Sequence, residues 1–458
     1  MRLPIDHPQR YTLNNEIHAR ASREVEAPEQ ISFLAFTYSS THVDANTDTA
    51  STAAKAASAS GPATDMVFND LCRLCELAGA PSPPPGAMHF RTQLGQLELN
   101  WERHTELVTY AFARRTAFDH PFKAPAIQQV PELWLDSVRG ELLVGIHLAV
   151  RDQGSVKPDL RDAAQDFSGN YLVGANVGSD TAIVLTDFRI HEDGFSRMLL
   201  LATKMGKAQG GRIVQRLLEI ETYRMACLLA LPVARQVVQT VAKAEIELAA
   251  HTNALTTSVT TSPNFNEAGD EAALLKQLIT LAATVENQLA ATNFRFGAAR
   301  AYYALVKRRI AELREERLPG VQTIEEFMER RLAPAMNTCE SAAQRLFDLS
   351  ERISRASALL RTRVDIEREQ QNQALLASMN RRAKTQLRLQ ETVEGLSIAA
   401  IIYYVVGLIG YFAKGLRAAD LPVNPDIAMA ASMPLVAGLI LFGLRRWRKQ
   451  NDSQNDGR

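Results

Sequence analysis

LSIAAIIYYVVGLIGYFA (396–413) and IAMAASMPLVAGLILFGL (427–444) are the two stretches that decide the architecture. Each is uncharged and 18 residues long, close to the shortest apolar run that spans a bilayer as a helix. At a rise of about 1.5 Å per residue, each covers roughly 27 Å, near the hydrocarbon thickness. They close a chain of 458 residues whose preceding part reads as water-soluble. The expected build is a large soluble body tethered by a C-terminal two-helix transmembrane hairpin. A buried hairpin inside a soluble core is the competing reading. The basic flanks and Trp447, a residue suited to the membrane interface, favour the bilayer.

Orientation is read from Lys and Arg beside the spans. Arg381, Arg382, Lys384 and Arg388 lie upstream; Arg445, Arg446, Arg448 and Lys449 lie downstream. The connecting loop has Lys414 and Arg417 offset by Asp420 and Asp426. Both termini are expected to be cytoplasmic. The opening MRLPIDHPQRYTLNNEIHAR has no apolar core of a secretory signal. Four cysteines in this length build no disulfide framework. A net charge of zero argues against recruitment of nucleic acid.

Working back from the spans, residues 206–394 read as a long-helix stalk and residues 1–205 as a cytosolic α/β domain, with 395–444 the hairpin and 445–458 a basic tail. Alternating or apolar runs predict strands at 31–38, 88–94, 97–101, 107–113, 142–150, 171–177 and 182–188. The small, polar stretch 45–62 reads as a flexible insert, and a helix is expected over 65–78. Past Gly206 apolar residues recur at three- and four-residue spacing. Pro232 should kink or interrupt the first long helix. A second is expected from Glu271 to about Arg317, ended by LPG (318–320). Thr323 and Glu326 have the spacing of a capping box for a third, which Pro334 threatens to break. Its apolar positions, Ile353, Leu360, Val364, Leu375, Leu376 and Met379, are too irregular for a strict heptad.

Few groupings suggest chemistry. Cys72 and Cys75 form a CxxC well inside a predicted helix. A redox pair would sit at a helix N-terminus, and zinc would need two further ligands. Two packed thiols, with no metal and no cofactor, are the expected outcome. His7, Arg10, Glu16, His18 and Arg20 concentrate near the start, as an ion or anion site or as a surface polar cluster. MGKAQGGR (205–212) either offers an anion a helix N-terminus or makes a tight strand-to-helix turn. No nucleophile elbow, P-loop or dinucleotide fingerprint is present, so no enzyme is expected. In the first span, Gly407 and Gly410 nearly share a helix face, bracketed by Tyr403, Tyr404 and Tyr411. These residues suit close helix packing or the lining of a pore.

HPQRYTLNNEIHAR, MGKAQGGRIVQRLLEIETYRMACLLALP and EGLSIAAIIYYVVGLIGYFAKGL resemble, in that order, three motifs of an uncharacterised bacterial family of membrane-anchored proteins. Ala21 and Ser22 stand where that family usually has a proline. The resemblance implies two spans and no assigned activity. The layout also resembles, more remotely, the CorA-type magnesium transporters: an N-terminal α/β domain, long helices, two C-terminal spans and a basic tail. Their Gly-Met-Asn pore signature is replaced here by Gly410, Tyr411 and Phe412. That likeness implies a homo-oligomer in the lipid bilayer, a pentamer being one form, whose central helices could line a path for an ion such as a divalent cation, but it does not carry over ion selectivity or prove transport. The alternative is a membrane-tethered binding, sensor or scaffold protein without transport.

Overall fold

The computed structural model describes residues 6–11, 14, 22–38, 62–154, 158–260, 267–418 and 424–455. The expected insert lies outside them up to Gly61. The chain divides into two compact units, and α7 (Ile324–Ala418) runs from one into the other. The first takes in Met1–Glu267 and Ala273–Ala358; the second takes in Ala268–Ala272 and Leu359–Arg458.

The first unit is built on a nine-stranded sheet of order β2-β3-β4-β1-β5-β8-β7-β6-β9. The strands are β1 (Glu29–Thr37), β2 (His89–Leu94), β3 (Leu97–Arg103), β4 (Leu107–Arg115), β5 (Glu141–Asp152), β6 (Val173–Val177), β7 (Ala182–Ile190), β8 (Ser196–Ala202) and β9 (Glu316–Arg317). Neighbours pair antiparallel except β5 and β8, which are parallel. After β5 the chain makes the β6–β7 hairpin at the sheet's far side. It then returns through β8, which fills the place between β5 and β7.

Seven strands lie where the sequence predicts them. β8 does not come from the alternation rule: in SRMLLLA the last five residues are all buried because a central strand is covered on both faces. β9 lies where the sequence predicts a continuing helix. α6 (Glu267–Leu313) stops early because Arg314 takes a left-handed backbone, φ 51°. The two residues of β9 then pair with β6.

One sheet face is sealed by α1 (Pro62–Leu77), a 3-10 turn at Ala126–Gln129 and α2 (Glu132–Leu135). Trp134 is the centre of that layer. Its ring lies 4.9 Å from Tyr110 and 5.8 Å from Phe112, and its Nε1 donates to the Asp70 carbonyl at 2.8 Å. Further along the same face, α3 (Leu160–Gln165) and Phe167 cover β7 and β8.

The opposite face carries α4 (Lys207–Leu228), and the two glycines of MGKAQGGR set the approach. A Cβ on Gly211 would run into the Arg23 carbonyl, and one on Gly210 would lie 3.1 Å from the Val25 carbonyl. The N–H of Val25 donates to the Lys207 carbonyl at 3.1 Å. The glycines thus let α4 lie against the extended chain before β1.

α5 (Ala230–Thr260) begins just after Leu229. Pro232 sits in its first turn, where a missing N–H costs nothing, so the interruption precedes the proline. α7 opens with the expected capping box: the N–H of Glu326 donates to Thr323 Oγ1 at 3.1 Å, and that of Thr323 donates to Glu326 Oε2 at 3.2 Å. Glu315 adds a second cap, accepting from the N–H groups of Ile324 and Glu325. Pro334 does not break the helix. Buried Leu332, Met336 and Cys339 hold that turn through packing, which offsets the lost hydrogen bond. Further along, burial at Cys339, Ala342, Leu346, Leu349, Ile353 and Leu360 follows three-, four- and seven-residue steps. This stretch is more regular than the sequence pattern suggests. Ion pairs Arg345–Glu245 (2.8 Å) and Arg300–Glu340 (3.1 Å) tie α7 to α5 and α6.

The second unit contains the remainder of α7 and α8 (Pro425–Asn455). From Leu375 onward α7 exposes its large apolar residues: Leu376, Leu387 and Leu389 are each more than 60% accessible. Two helical stretches, Lys207–Asn253 and Ile324–Leu416, are long and apolar enough to cross a membrane by length and composition alone. The first lies against the sheet, with Ile213, Leu217 and Ile220 buried, and reads as a core helix. In α8 the apolar stretch is the shorter Pro425–Ile440.

Candidate functional site

A cleft of about 80 Å³, open to solvent, lies between the sheet and α4. That space is smaller than the pocket of a drug-sized ligand, so only a compact molecule of a few heavy atoms would enter it. Its floor is apolar: Ile31 and Phe33 of β1, Ala111 of β4, and Val214 and Leu218 of α4. These strand residues share one face because Ala111 pairs with Phe33 and Ala113 with Ile31.

The polar walls come from two directions. Along β3, Leu97, Leu99 and Trp101 point into the core, so Asn100 and Glu102 emerge on the cleft side. Asn100 Nδ2 donates to Glu102 Oε1 at 3.0 Å, and His104 Nε2 lies 3.7 Å from Glu102 Oε2. On α4, Gln215 and Glu219 are one turn apart, and Gln215 Nε2 donates to Glu219 Oε1 at 2.9 Å. Arg309 of α6 grips Glu219 from behind and also bonds Glu312 at 2.9 Å. Tyr223 completes this wall, stacked on Tyr302 at 5.6 Å. Arg23 reaches the cleft already bound to Glu29 (2.6 Å) and Glu98 (3.3 Å).

Burial lifts Glu219 above the usual carboxylate range; Arg309 opposes this and the like charge of Glu102 adds to it. Burial likewise lifts Glu29 against the pull of Arg23. The cleft therefore sets two carboxylates, held by amides, an imidazole and a guanidinium, over an apolar floor.

Two Ser–His–Asp groupings also form, and neither assembles a nucleophile. Ser32 Oγ lies 3.0 Å from His147 Nδ1, with Asp193 4.0 Å from Nε2. Ser32 is fully buried and its oxygen accepts the Ile127 N–H at 3.0 Å. Burial pushes His147 down to about 4, so this ring is a neutral core residue stacked on Phe195. Ser168 Oγ lies 3.4 Å from His191 Nδ1, and His191 Nε2 is 3.0 Å from Asp187. That second contact is close but misaligned, leaving Nε2 without a hydrogen bond. The N–H groups of Ser168, Gly169 and Asn170 are consumed by the turn itself.

The residues singled out by sequence fall elsewhere. His7 and Arg10 are exposed; Arg10 pairs with Asp6, and Glu16, His18 and Arg20 lie outside the described residues. Cys75 is buried beside Leu71 and Leu74, and burial pushes its thiol up to about 11; Cys72 is raised for the same reason. This is opposite to a reactive thiol. Among the described residues, no three His, Cys, Asp or Glu side chains gather to hold a metal. Tyr403, Tyr404 and Tyr411 are each at least 70% accessible. A groove on this segment is lined by Tyr403, Gly407, Gly410 and Tyr411 of α7 and by Met429 and Met433 of α8. Gly407 faces open space, whereas a Cβ on Gly410 would collide with Met429, Cγ at 2.6 Å. Gly410 is thus a close-packing position between α7 and α8. Arg445, Arg448 and Lys449 lie in α8 with side chains outside the described residues, and Arg446 shares that helix.

Residues 5–451 match the family described as protein of unknown function (DUF3422). The chain belongs to this family. The match runs through the sheet, the long helices and both apolar segments, so the family is defined by the whole layout and not by one domain. No curated protein and no solved structure matches the chain.

Proposed function

We propose that this DUF3422 protein is a membrane-tethered binding protein without enzymatic activity, whose α/β unit receives a small ligand in the cleft between β1, β3, β4 and α4. The cleft carries the reading: it joins an apolar floor to two oriented carboxylates. The anchor is the hairpin of 396–413 and 427–444. Its support is the exposed apolar surface of α7, with Leu396 69% and Leu408 68% accessible, and the close packing of Gly410 on Met429. The basic residues around the hairpin favour a cytoplasmic position for both termini.

The test has two arms. Full-length protein in nanodiscs is screened for bound small molecules by native mass spectrometry, beside Ala111→Trp, which fills the cleft floor. A ligand lost in the variant supports the reading; identical ligand profiles refute it. Truncation before Gly395 should release the protein from membranes, and persistent detergent-dependent association of the truncated chain refutes the tail anchor.

The exposed apolar residues of α7 between Leu375 and Leu396 favour a second reading, in which several copies gather around this helix and pass a divalent cation, as in a CorA-like pentamer. Mass photometry in detergent and magnesium flux into liposomes test it. A monomer without flux removes it.

A further inference from the structure

The lining of the cleft bears on which ligand it selects, a question that rests on the proposed binding function. Its charges are unevenly matched. Arg23 spends its charge on Glu29 and Glu98, both outside the apolar floor. Glu219 is gripped from behind by Arg309. Glu102, by contrast, meets an amide at 3.0 Å and an imidazole at 3.7 Å, with no guanidinium in ion-pair contact among the described residues. It sits beside the floor of Phe33 and Ala111, on the wall facing Glu219. A bound anion would face two carboxylates. A neutral ligand would offer Glu102 no opposite charge. A compact organic cation answers both: its ammonium neutralises Glu102 while its carbon chain covers the floor.

A bare metal ion fits less well. Among the described residues no three His, Cys, Asp or Glu side chains converge on one point, and the floor would remain uncovered. We propose that the cleft selects a small aliphatic amine in its protonated form, with the ammonium on Glu102 and the hydrocarbon over Ile31, Phe33, Ala111 and Leu218.

The experiment uses full-length protein in nanodiscs and isothermal titration with n-butylamine, putrescine, butyrate and magnesium chloride at pH 7. Either amine should bind, with affinity at least tenfold above that for butyrate. Glu102→Gln should weaken amine binding at least tenfold, while the circular dichroism and Trp fluorescence of the variant match the parent. Binding of amine that is unchanged in Glu102→Gln overturns the inference, as does preference for butyrate or for magnesium. Ala111→Trp separates the two levels. A neutral or anionic compound that binds the parent and is lost in Ala111→Trp leaves the cleft a binding site and removes only the amine. If no compound responds to Ala111→Trp, the binding reading itself falls.

Discussion

Gly211→Ala should loosen the whole cleft, and the cost comes from one close approach. The new Cβ would overlap the Arg23 carbonyl oxygen and lie 2.9 Å from its carbon. The obstacle is backbone, which cannot swing away as a flexible side chain does. Overpacking of this kind costs about 1–3 kcal/mol. Retreat of the strand-leading segment also strains the Val25–Lys207 hydrogen bond, worth about 1 kcal/mol. Against this, alanine stabilises a helix interior by about 1 kcal/mol over glycine. The balance is a loss of roughly 1–3 kcal/mol. With a urea slope of about 3 kcal/mol/M, the midpoint should fall by roughly 0.3–1 M. Two of the three tryptophans, Trp101 and Trp134, are fully buried in this unit, so their fluorescence reports its unfolding. Gly297→Ala is the control: it lies exposed in α6 with nothing near its would-be Cβ. It should hold or raise the midpoint. A Gly211→Ala midpoint equal to or above the parent's would refute the packing of α4 on the Arg23 segment.

Replacing Cys72 and Cys75 together with Ala should cost about 1–2 kcal/mol through lost packing. Metal content should not change, and a thiol titration of the parent at pH 7 should find Cys75 unreactive. Stoichiometric zinc in the parent alone would contradict this. The raised Glu219 sets a pH dependence: the folded state holds its proton more tightly than the unfolded state does. Stability from this group is therefore present below pH 4.5 and is lost as pH rises through the folded value. Urea midpoints of Glu219→Gln measured between pH 4 and 7 should fall less steeply with pH than the parent's. An unchanged slope would mean Glu219 ionises normally. Glu315→Ala removes the second cap of α7 and should cost about 1 kcal/mol. Faster amide exchange at Ile324 and Glu325 would mark the loss, and unchanged exchange would count against the cap.

Legibility in the sequence differs by level. Seven of the strands and the α7 capping box are readable because each leaves a local pattern. Alternation marks a strand with one polar face, and Thr323 and Glu326 meet across a single turn. β8 escapes for a different reason: its buried run MLLLA is shorter than those of β1, β4 and β7, and so short an apolar run reads equally as a helix segment. The end of α6 escapes because no proline or glycine announces it; Arg314 turns where β9 can pair with β6. Pro334 misleads in the opposite direction, since its weakness is local while the packing that overrides it is tertiary.

The cleft is illegible for a deeper reason. Its residues come from the segment before β1, from β1, β3 and β4, and from α4, with Arg309 reaching Glu219 from α6. No spacing rule joins Glu102 to Glu219; they meet because β3 turns Leu99 and Trp101 inward and so turns Asn100 and Glu102 toward α4. The local trace each leaves is small: a polar residue at alternate positions of β3, and a Gln215–Glu219 pair one turn apart on a helix face otherwise apolar. The glycines of MGKAQGGR suggest an anion cradle in the sequence, and they do shape the site, though by a different physics. They remove two side chains so that a helix can descend onto the chain ahead of β1. The same absence of Cβ that suggests a ligand's phosphate serves the protein's own backbone, and the space beside it is lined by acids. A phosphate would be repelled where a protonated amine would be held.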